Sequence, residues 1–196
     1  MKPARAVFLD RDGTINVEAG YIRELDNLRL APGAAAAIKR LNEAGILAIV
    51  VTNQSGPARG YYAESWIDCL HERLVDLLKA EGAFLDDIFY CPHLPDGIVP
   101  EYSFACACRK PEPGMLLAAA DKFQLDPQFS YMIGDKATDV EVGQRVKSRT
   151  VLLRSGYGEQ VLAGAYQWPC RPDHIADDLE AAIEWVFQDI AAPPRV

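Results

Sequence analysis

Four short polar clusters bring together the carboxylate, hydroxyl, amide and cationic side chains that bind and transform ligands. They are Asp10-Arg11-Asp12-Gly13-Thr14, Thr52-Asn53-Gln54-Ser55-Gly56, Arg109-Lys110 and Gly134-Asp135-Lys136. A fifth cluster is different in kind. Cys91-x-His93 and Cys106-x-Cys108 supply three thiolates and an imidazole in two tight pairs joined by a loop of twelve residues. Four such donors can close a tetrahedral zinc site and leave no position for water, so the metal expected there is structural. The loop between the pairs, with Pro92, Pro95, Gly97 and Pro100, has little apolar content of its own, and metal binding would supply its order. Cys69 and Cys170 stand apart and read as small hydrophobes, and His71 and His174 as surface or packing residues.

The elements that must position these clusters alternate between strand and helix. Arg5 to Leu9, the β-branched run Ile46 to Val51, Asp87 to Cys91, Phe129 to Ile133 and Thr150 to Leu153 read as strands. Pro32 is expected to open a helix that Gly45 ends, with Ala34, Ala37, Ile38 and Leu41 as its buried stripe. A second helix is expected from Ala63 to Lys79 with Trp66, Leu70, Leu74, Leu77 and Leu78 on one side, and a third from Met115 to Phe123. Asp177 and Glu180 read as the capping box of a last helix, whose apolar face is Leu179, Ile183, Val186, Phe187 and Ile190. This order implies right-handed crossovers: an α/β fold with a Rossmann-like, mostly parallel sheet and helices on both faces. In such sheets ligands bind beyond the carboxyl ends of the strands, where three of the polar clusters fall. Any one cluster alone would pass for a polar turn; the four in this order do not.

Composition narrows the function classes. The chain has 196 residues, 49% of them hydrophobic and 24% charged, the balance of a globular protein with a sizeable core. Lys+Arg is 20 against Asp+Glu 28, a formal charge of −8, which argues against a nucleic-acid partner. The run Ile46 to Val51 is far short of a membrane span, and Asp10 to Asp12 interrupt the first apolar stretch too early for a signal peptide, so a cytoplasmic protein is expected. No apolar surface stripe is evident, and a monomer is expected.

Phe8-Leu9-Asp10-Arg11-Asp12-Gly13-Thr14, Thr52-Asn53, Lys110 and Gly134-Asp135 resemble the four motifs of the haloacid-dehalogenase-type phosphatases. Ala58-Arg59-Gly60-Tyr61, Cys91-Pro92-His93 and Cys106-Ala107-Cys108-Arg109-Lys110-Pro111 narrow the resemblance to the branch that acts on a heptose bisphosphate. The resemblance implies a Mg²⁺-dependent phosphomonoesterase, serving nucleotide-activated heptose and lipopolysaccharide synthesis, that releases the C7 phosphate through an aspartyl-phosphate. Asp10 would be the nucleophile and Asp12 the general acid and base. Asp10, the main-chain carbonyl of Asp12 and Asp135 would hold the magnesium, and Thr52 and Lys110 would stabilise the phosphoryl group. Asp139 would orient its neighbours or cap a helix rather than ligate the ion, and Lys136 would contact the acid/base carboxylate or the substrate.

There is room between Asp10 and Thr52 only for a flap and one helix, and between Thr52 and Lys110 for a helix, a strand and the metal loop. Neither insert makes an independent cap. Residues 1–190 are therefore read as one domain, with the zinc loop at 91–108 and a frayed tail at 191–196. Substrate contacts are expected from the flap (Glu18, Ala19, Gly20, Tyr21), from Asn53, Gln54 and Ser55, and from Arg59, Arg109 and Lys136, whose surplus positive charge suits a sugar bisphosphate. Two alternatives stay open: a histidinol-phosphate phosphatase, and a catalytically inactive zinc-loop binding module. The chain departs from the family pattern at Pro57 and at the turn Lys147-Ser148-Arg149.

Overall fold

The computed structural model describes residues 5–192 and consists of one six-stranded sheet with helices on both faces. The strands are β1 (Ala6–Leu9), β2 (Leu47–Asn53), β3 (Asp87–Cys91), β4 (Tyr131–Gly134), β5 (Arg149–Leu153) and β6 (His174–Ala176). The helices are α1 (Ala34–Glu43), α2 (Ser65–Ala80), α3 (Gly114–Phe123), α4 (Ala137–Arg145), α5 (Gly158–Leu162) and α6 (Leu179–Ala191). All five strand pairs are parallel and the spatial order is β3-β2-β1-β4-β5-β6. The order reverses between β1 and β4, the crevice in which doubly wound sheets bind ligands.

Alternation along the central strands divides the core. Val7, Leu9 and Val50 face the side covered by α1, α2 and α6, packing with Ile38, Leu41, Leu70, Leu74, Ile183 and Val186. Ala6, Phe8, Ile49 and Val51 face the other side, against Met115, Leu116, Ala119 and Val142 of α3 and α4. A strand buried on both faces reads as a continuous apolar run, which is why β1 and β2 are legible in the sequence. Among the described residues no helix is long and apolar enough to cross a membrane.

Several boundaries differ from the sequence reading. Pro32 does not open α1: Gly33 takes φ 74° at the N-cap, outside helical geometry, and leaves Pro32 in the preceding turn. Gly45, with φ 66°, does follow its end. Helix α2 starts at Ser65 rather than Ala63, and Thr52 and Asn53 are the last residues of β2 rather than the loop beyond it. Phe129 lies in a single 3₁₀ turn begun by Pro127, so β4 starts at Tyr131. The cap of α6 is Asp178, which accepts from the Ala181 N–H, and not Asp177. Helices α4 and α5 and strand β6 have no counterpart in the sequence pattern. Lys147, in the turn that departs from the family pattern, has φ 61°, the left-handed region where glycine is least strained. Of the expected tail, Ala191 still belongs to α6, and residues 193–196 lie outside the described residues.

Candidate active site

The parallel register aligns Leu9 of β1 with Val50 of β2 and Ile133 of β4. The residues that follow these partners therefore emerge side by side at one edge of the sheet. Asp10 prolongs β1, its N–H bonded to the Ile133 carbonyl at 2.9 Å. The chain then turns sharply: the N–H groups of Thr14, Ile15 and Asn16 all donate to the Arg11 carbonyl, and Gly13 adopts φ 82°. This turn brings the Asp12 carbonyl back toward the carboxylates of Asp10 and Asp135.

Lys136 Nζ marks where those oxygens point. It lies 2.8 Å from Asp135 Oδ1, 3.3 Å from the Asp12 carbonyl and 3.4 Å from Asp10 Oδ2. The three oxygens thus face one point that accepts a cation, and carboxylate and carbonyl oxygens are the donors magnesium takes. Carboxylate oxygens of Asp10, Asp135 and Asp139 lie within 4.8 Å of one another. Asp139 is occupied otherwise: its carboxylate accepts from the Lys136 N–H, capping α4, and pairs with Lys110 Nζ at 2.6 Å. Lys136 touches no oxygen of the Asp12 carboxylate; its contacts are Asp10, Asp135, the Asp12 carbonyl and, at 3.7 Å, Glu18.

Lys110 is almost wholly buried. Its ammonium group meets Asp10 Oδ1 at 3.0 Å, Asp139 Oδ1 at 2.6 Å and the Val51 carbonyl at 2.7 Å. Asn53 fixes the lysine backbone from both sides, donating to the Lys110 carbonyl and accepting from its N–H, each at 3.0 Å. Thr52 accepts a hydrogen bond from Gln54 Nε2, leaving its own hydroxyl proton free to donate.

Burial and charge set the protonation states. Burial pushes Asp10 up, but Lys110, Lys136 and the Arg11 N–H outweigh it and hold the carboxyl well below the ordinary range. Asp12 is also depressed: burial is overcome by the Arg11 guanidinium and by donors from Asn16 and Gln54. Asp135 goes the other way. Burial raises it to about 7, Lys136 opposes the rise, and Asp10 and Asp139 reinforce it. Both lysines are disfavoured by burial, yet the surrounding carboxylates raise them above the ordinary lysine value.

Asp10, Asp12, Thr52, Asn53, Gln54, Lys110 and Lys136 line one cleft of about 160 Å³, together with Glu18, Gly20 and Tyr21 of the flap and Ser55, whose hydroxyl lies 3.2 Å from that of Tyr21; Asp135 and Asp139 lie beneath it, reached through Lys136 and Lys110. Ala19, Arg59 and Arg109 do not line it. The Arg59 guanidinium lies over the Tyr21 ring, 5.8 Å from its centroid, and the charge of Arg109 is disfavoured by burial, with Arg59 adding to this and Tyr21 opposing it, so both guanidinium groups border the flap side of the cleft. Thr138, Tyr157 and Tyr166 line the cleft without having been anticipated, the two tyrosine rings stacked at 4.3 Å. Only the position of Tyr157 just beyond the strand Thr150 to Leu153 could have pointed to it.

At the neighbouring strand end, Cys91, His93, Cys106 and Cys108 converge. Sulfur–sulfur separations run from 3.0 to 3.5 Å, and His93 presents Nδ1 to Cys91 and Cys108 at 3.5 and 3.4 Å. Three thiols and one imidazole nitrogen gathered so closely could hold a metal ion, and such a donor set suits zinc. His71, by contrast, is a buried packing residue edge-on to Tyr90, and His174 stacks on Trp185.

A sheet of this strand order, with a D-x-D turn after β1 facing an aspartate after β4 and no large cap, defines a haloacid-dehalogenase-like hydrolase. Residues 107–182 match the family model described as "HAD-hyrolase-like". The chain is 47% identical over 193 residues to D-glycero-D-manno-heptose-1,7-bisphosphate 7-phosphatase of Thermosynechococcus vestitus, covering 96% of this chain and 98% of the relative. It is 40% identical over 195 residues to D-glycero-beta-D-manno-heptose-1,7-bisphosphate 7-phosphatase of Escherichia coli K12, covering 99% and 94%. Its fold matches D,D-heptose 1,7-bisphosphate phosphatase from B. bronchiseptica, a structure complexed with magnesium and phosphate, with a TM-score of 0.83, 31% identity and coverage of 94% and 99%. The chain belongs to the heptose-bisphosphate phosphatase family of haloacid-dehalogenase-like hydrolases.

Proposed function

We propose that this protein is a magnesium-dependent phosphomonoesterase that removes the C7 phosphate of D-glycero-D-manno-heptose 1,7-bisphosphate. The observation that carries the reading is the convergence of Asp10, the Asp12 carbonyl and Asp135 on one cation position beside Lys110 and Thr52. Its family membership supports the substrate. Magnesium held by Asp10, the Asp12 carbonyl and Asp135 would neutralise phosphoryl charge and fix the orientation of the phosphoryl group.

The chain's own residues supply the rest. Asp10, kept ionised by Lys110 and Lys136, attacks phosphorus through a carboxylate oxygen and displaces the sugar oxygen. Lys110 aims that carboxylate and offsets its charge, while the Thr52 hydroxyl donates to a phosphoryl oxygen. Asp12 gives its proton to the departing sugar oxygen and takes one from the water that cleaves the aspartyl-phosphate. A phosphoryl dianion next to Asp12 counteracts the depression of its pKa, because neighbouring negative charge disfavours ionisation. Glu18, Gly20, Tyr21, Asn53, Gln54, Ser55 and Lys136 contact the substrate around the reacting phosphate. Arg59 and Arg109, on the flap side, meet the phosphate that stays on C1.

Cys91, His93, Cys106 and Cys108 would hold a structural zinc ion, which would order the loop leading into Arg109 and Lys110. Residues 1–190 act as one catalytic unit, and the enzyme works as a monomer in the cytoplasm. Phosphate release from heptose 1,7-bisphosphate and from histidinol phosphate, measured side by side with Mg²⁺, tests the assignment. The expected product retains phosphate at C1, as read by ³¹P NMR. A preference for histidinol phosphate would overturn the substrate, and no turnover of either with Mg²⁺ would overturn the enzyme.

A further inference from the structure

The segment after β5, Ser155-Gly156-Tyr157, belongs to none of the phosphatase motifs, yet it closes around the Asp135 carboxylate. The Tyr157 N–H donates to Asp135 Oδ2 at 2.8 Å, while Oδ1 is the oxygen that faces Lys136 Nζ. The Ser155 hydroxyl donates to the Gly13 carbonyl at 2.8 Å, tying this segment to the turn that carries Asp12. Gly156 and Gly13 flank the carboxylate, both with positive φ (57° and 82°). A Cβ on either would overlap Asp135 Oδ2, and one on Gly156 would also come within 2.8 Å of the Gly13 Cα. Asp135 is short and fully buried, so it could not yield without leaving its place.

We propose that Ser155-Gly156-Tyr157 is a positioning element for the cation: it locks one oxygen of Asp135 and presents the other as a single fixed ligand. This inference rests on the reading of Asp135 as a magnesium ligand. The physical basis is general, since partners that hydrogen-bond a ligating carboxylate fix its direction, and their loss weakens metal binding by about 10- to 100-fold. Neither Ser155 nor Gly156 lines the cleft; both act through Asp135 and the Asp12 turn.

Calorimetric titration of the full-length protein with Mg²⁺ alone tests it, comparing the parent with Ser155→Ala, Gly156→Ala and Asp135→Asn. Gly156→Ala should weaken Mg²⁺ binding by about 10- to 100-fold. Ser155→Ala should weaken it several-fold, with a melting temperature close to that of the parent. The turnover of Ser155→Ala should return to the parent kcat when Mg²⁺ is raised to saturation, which a general folding defect would not allow. Parent-like Mg²⁺ affinity in both variants overturns the proposal. If Gly156→Ala does not fold, unchanged affinity in Ser155→Ala alone is enough to do so. A parent that shows no saturable Mg²⁺ binding, or an Asp135→Asn variant that binds as the parent does, overturns the metal assignment itself, and the positioning role falls with it.

Discussion

Lys110→Met removes a charge that three acceptors share. The ammonium lies within 3.0 Å of Asp10 Oδ1, Asp139 Oδ1 and the Val51 carbonyl, with a side chain only 1% exposed. Methionine fills nearly the same volume, so the change is one of charge and not of packing. Without the ammonium, two buried carboxylates lose a common counter-charge, and breaking a buried pair in this way costs about 3–5 kcal/mol. For a domain of this size that corresponds to a melting temperature lower by about 6–20 °C. The effect on catalysis is separate. Among the described residues Asp10 keeps only Lys136 as a cationic partner, its pKa rises, and the charge that develops on the phosphoryl group loses a preorganised counter-charge. Losing one such group lowers kcat by about 10²–10³-fold, equivalent to roughly 2.7–4 kcal/mol. Phosphate release at saturating substrate and Mg²⁺, measured well below the melting temperature of the variant, separates the two effects. If the melting temperature falls while kcat stays within about threefold of the parent, Lys110 holds the fold and does not serve the reaction, and the reasoning fails.

Asp10→Asn should abolish turnover, and Asp12→Asn should lower it by about 10²–10⁴-fold, the range for losing an acid/base group; initial rates with heptose bisphosphate and an aryl phosphate check both. Cys106→Ser should lose bound zinc, measured by atomic emission against the parent, and unchanged zinc content would refute the centre. His71, buried against Tyr90, has its pKa pushed down to about 3 by burial, with Arg11 adding to the shift. A histidine neutral in the fold but protonated in the unfolded chain contributes stability that is complete above pH 6.5 and declines as the pH falls toward 3. At pH 5 the loss is about 2 kcal/mol, so urea denaturation of His71→Phe should show a shallower decline between pH 6.5 and 5 than the parent. An identical decline in both would refute the assignment.

The sequence exposed what burial patterns strongly and hid what depends on one residue's backbone angle. Strands β1 and β2 are legible to within a residue or two because runs such as Ile49 to Val51 are apolar on both faces. Helix α4 escaped because its buried face includes Thr138, Asp139 and Gly143 beside two valines, and polar residues there erase the apolar period. Strand β6 has three residues, too few for any period. Asp177 and Asp178 are both able caps, and only the backbone decides that Asp178, at φ −150°, takes the position. In the site, motif residues could be named because their chemistry is strict. Tyr157 and Tyr166 are harder to name, since a tyrosine beyond a strand is a weak signal until the fold stacks one ring on the other beside Lys136. Arg11 stood inside the first motif without a role; the structure shows it wholly buried, with two of its nitrogens on the Asp12 carboxylate and a bond to Gln54.

The Cys/His cluster and the candidate active site are joined by more than adjacency in the chain. Arg109 donates from Nη1 to the main-chain carbonyl of His93 at 2.9 Å, so a residue of the cluster holds the guanidinium directly. The next residue, Lys110, has its peptide fixed by Asn53 at the end of β2, and Gly114, which opens α3, bonds back to the Ala107 carbonyl within the metal loop. On the far side of the loop, the Leu94 N–H bonds to the Tyr102 carbonyl, and the Tyr102 hydroxyl bonds to Glu64, whose other oxygen accepts from Tyr90. Loosening the cluster would release Arg109 first, because its anchor lies in the loop, and Lys110 last, because its anchor lies in the sheet. The two neighbouring cations are therefore anchored differently: Lys110 to the sheet, beside Asp10, and Arg109 to the Cys/His loop; under the proposed function the first would serve the reaction and the second the rest of the substrate.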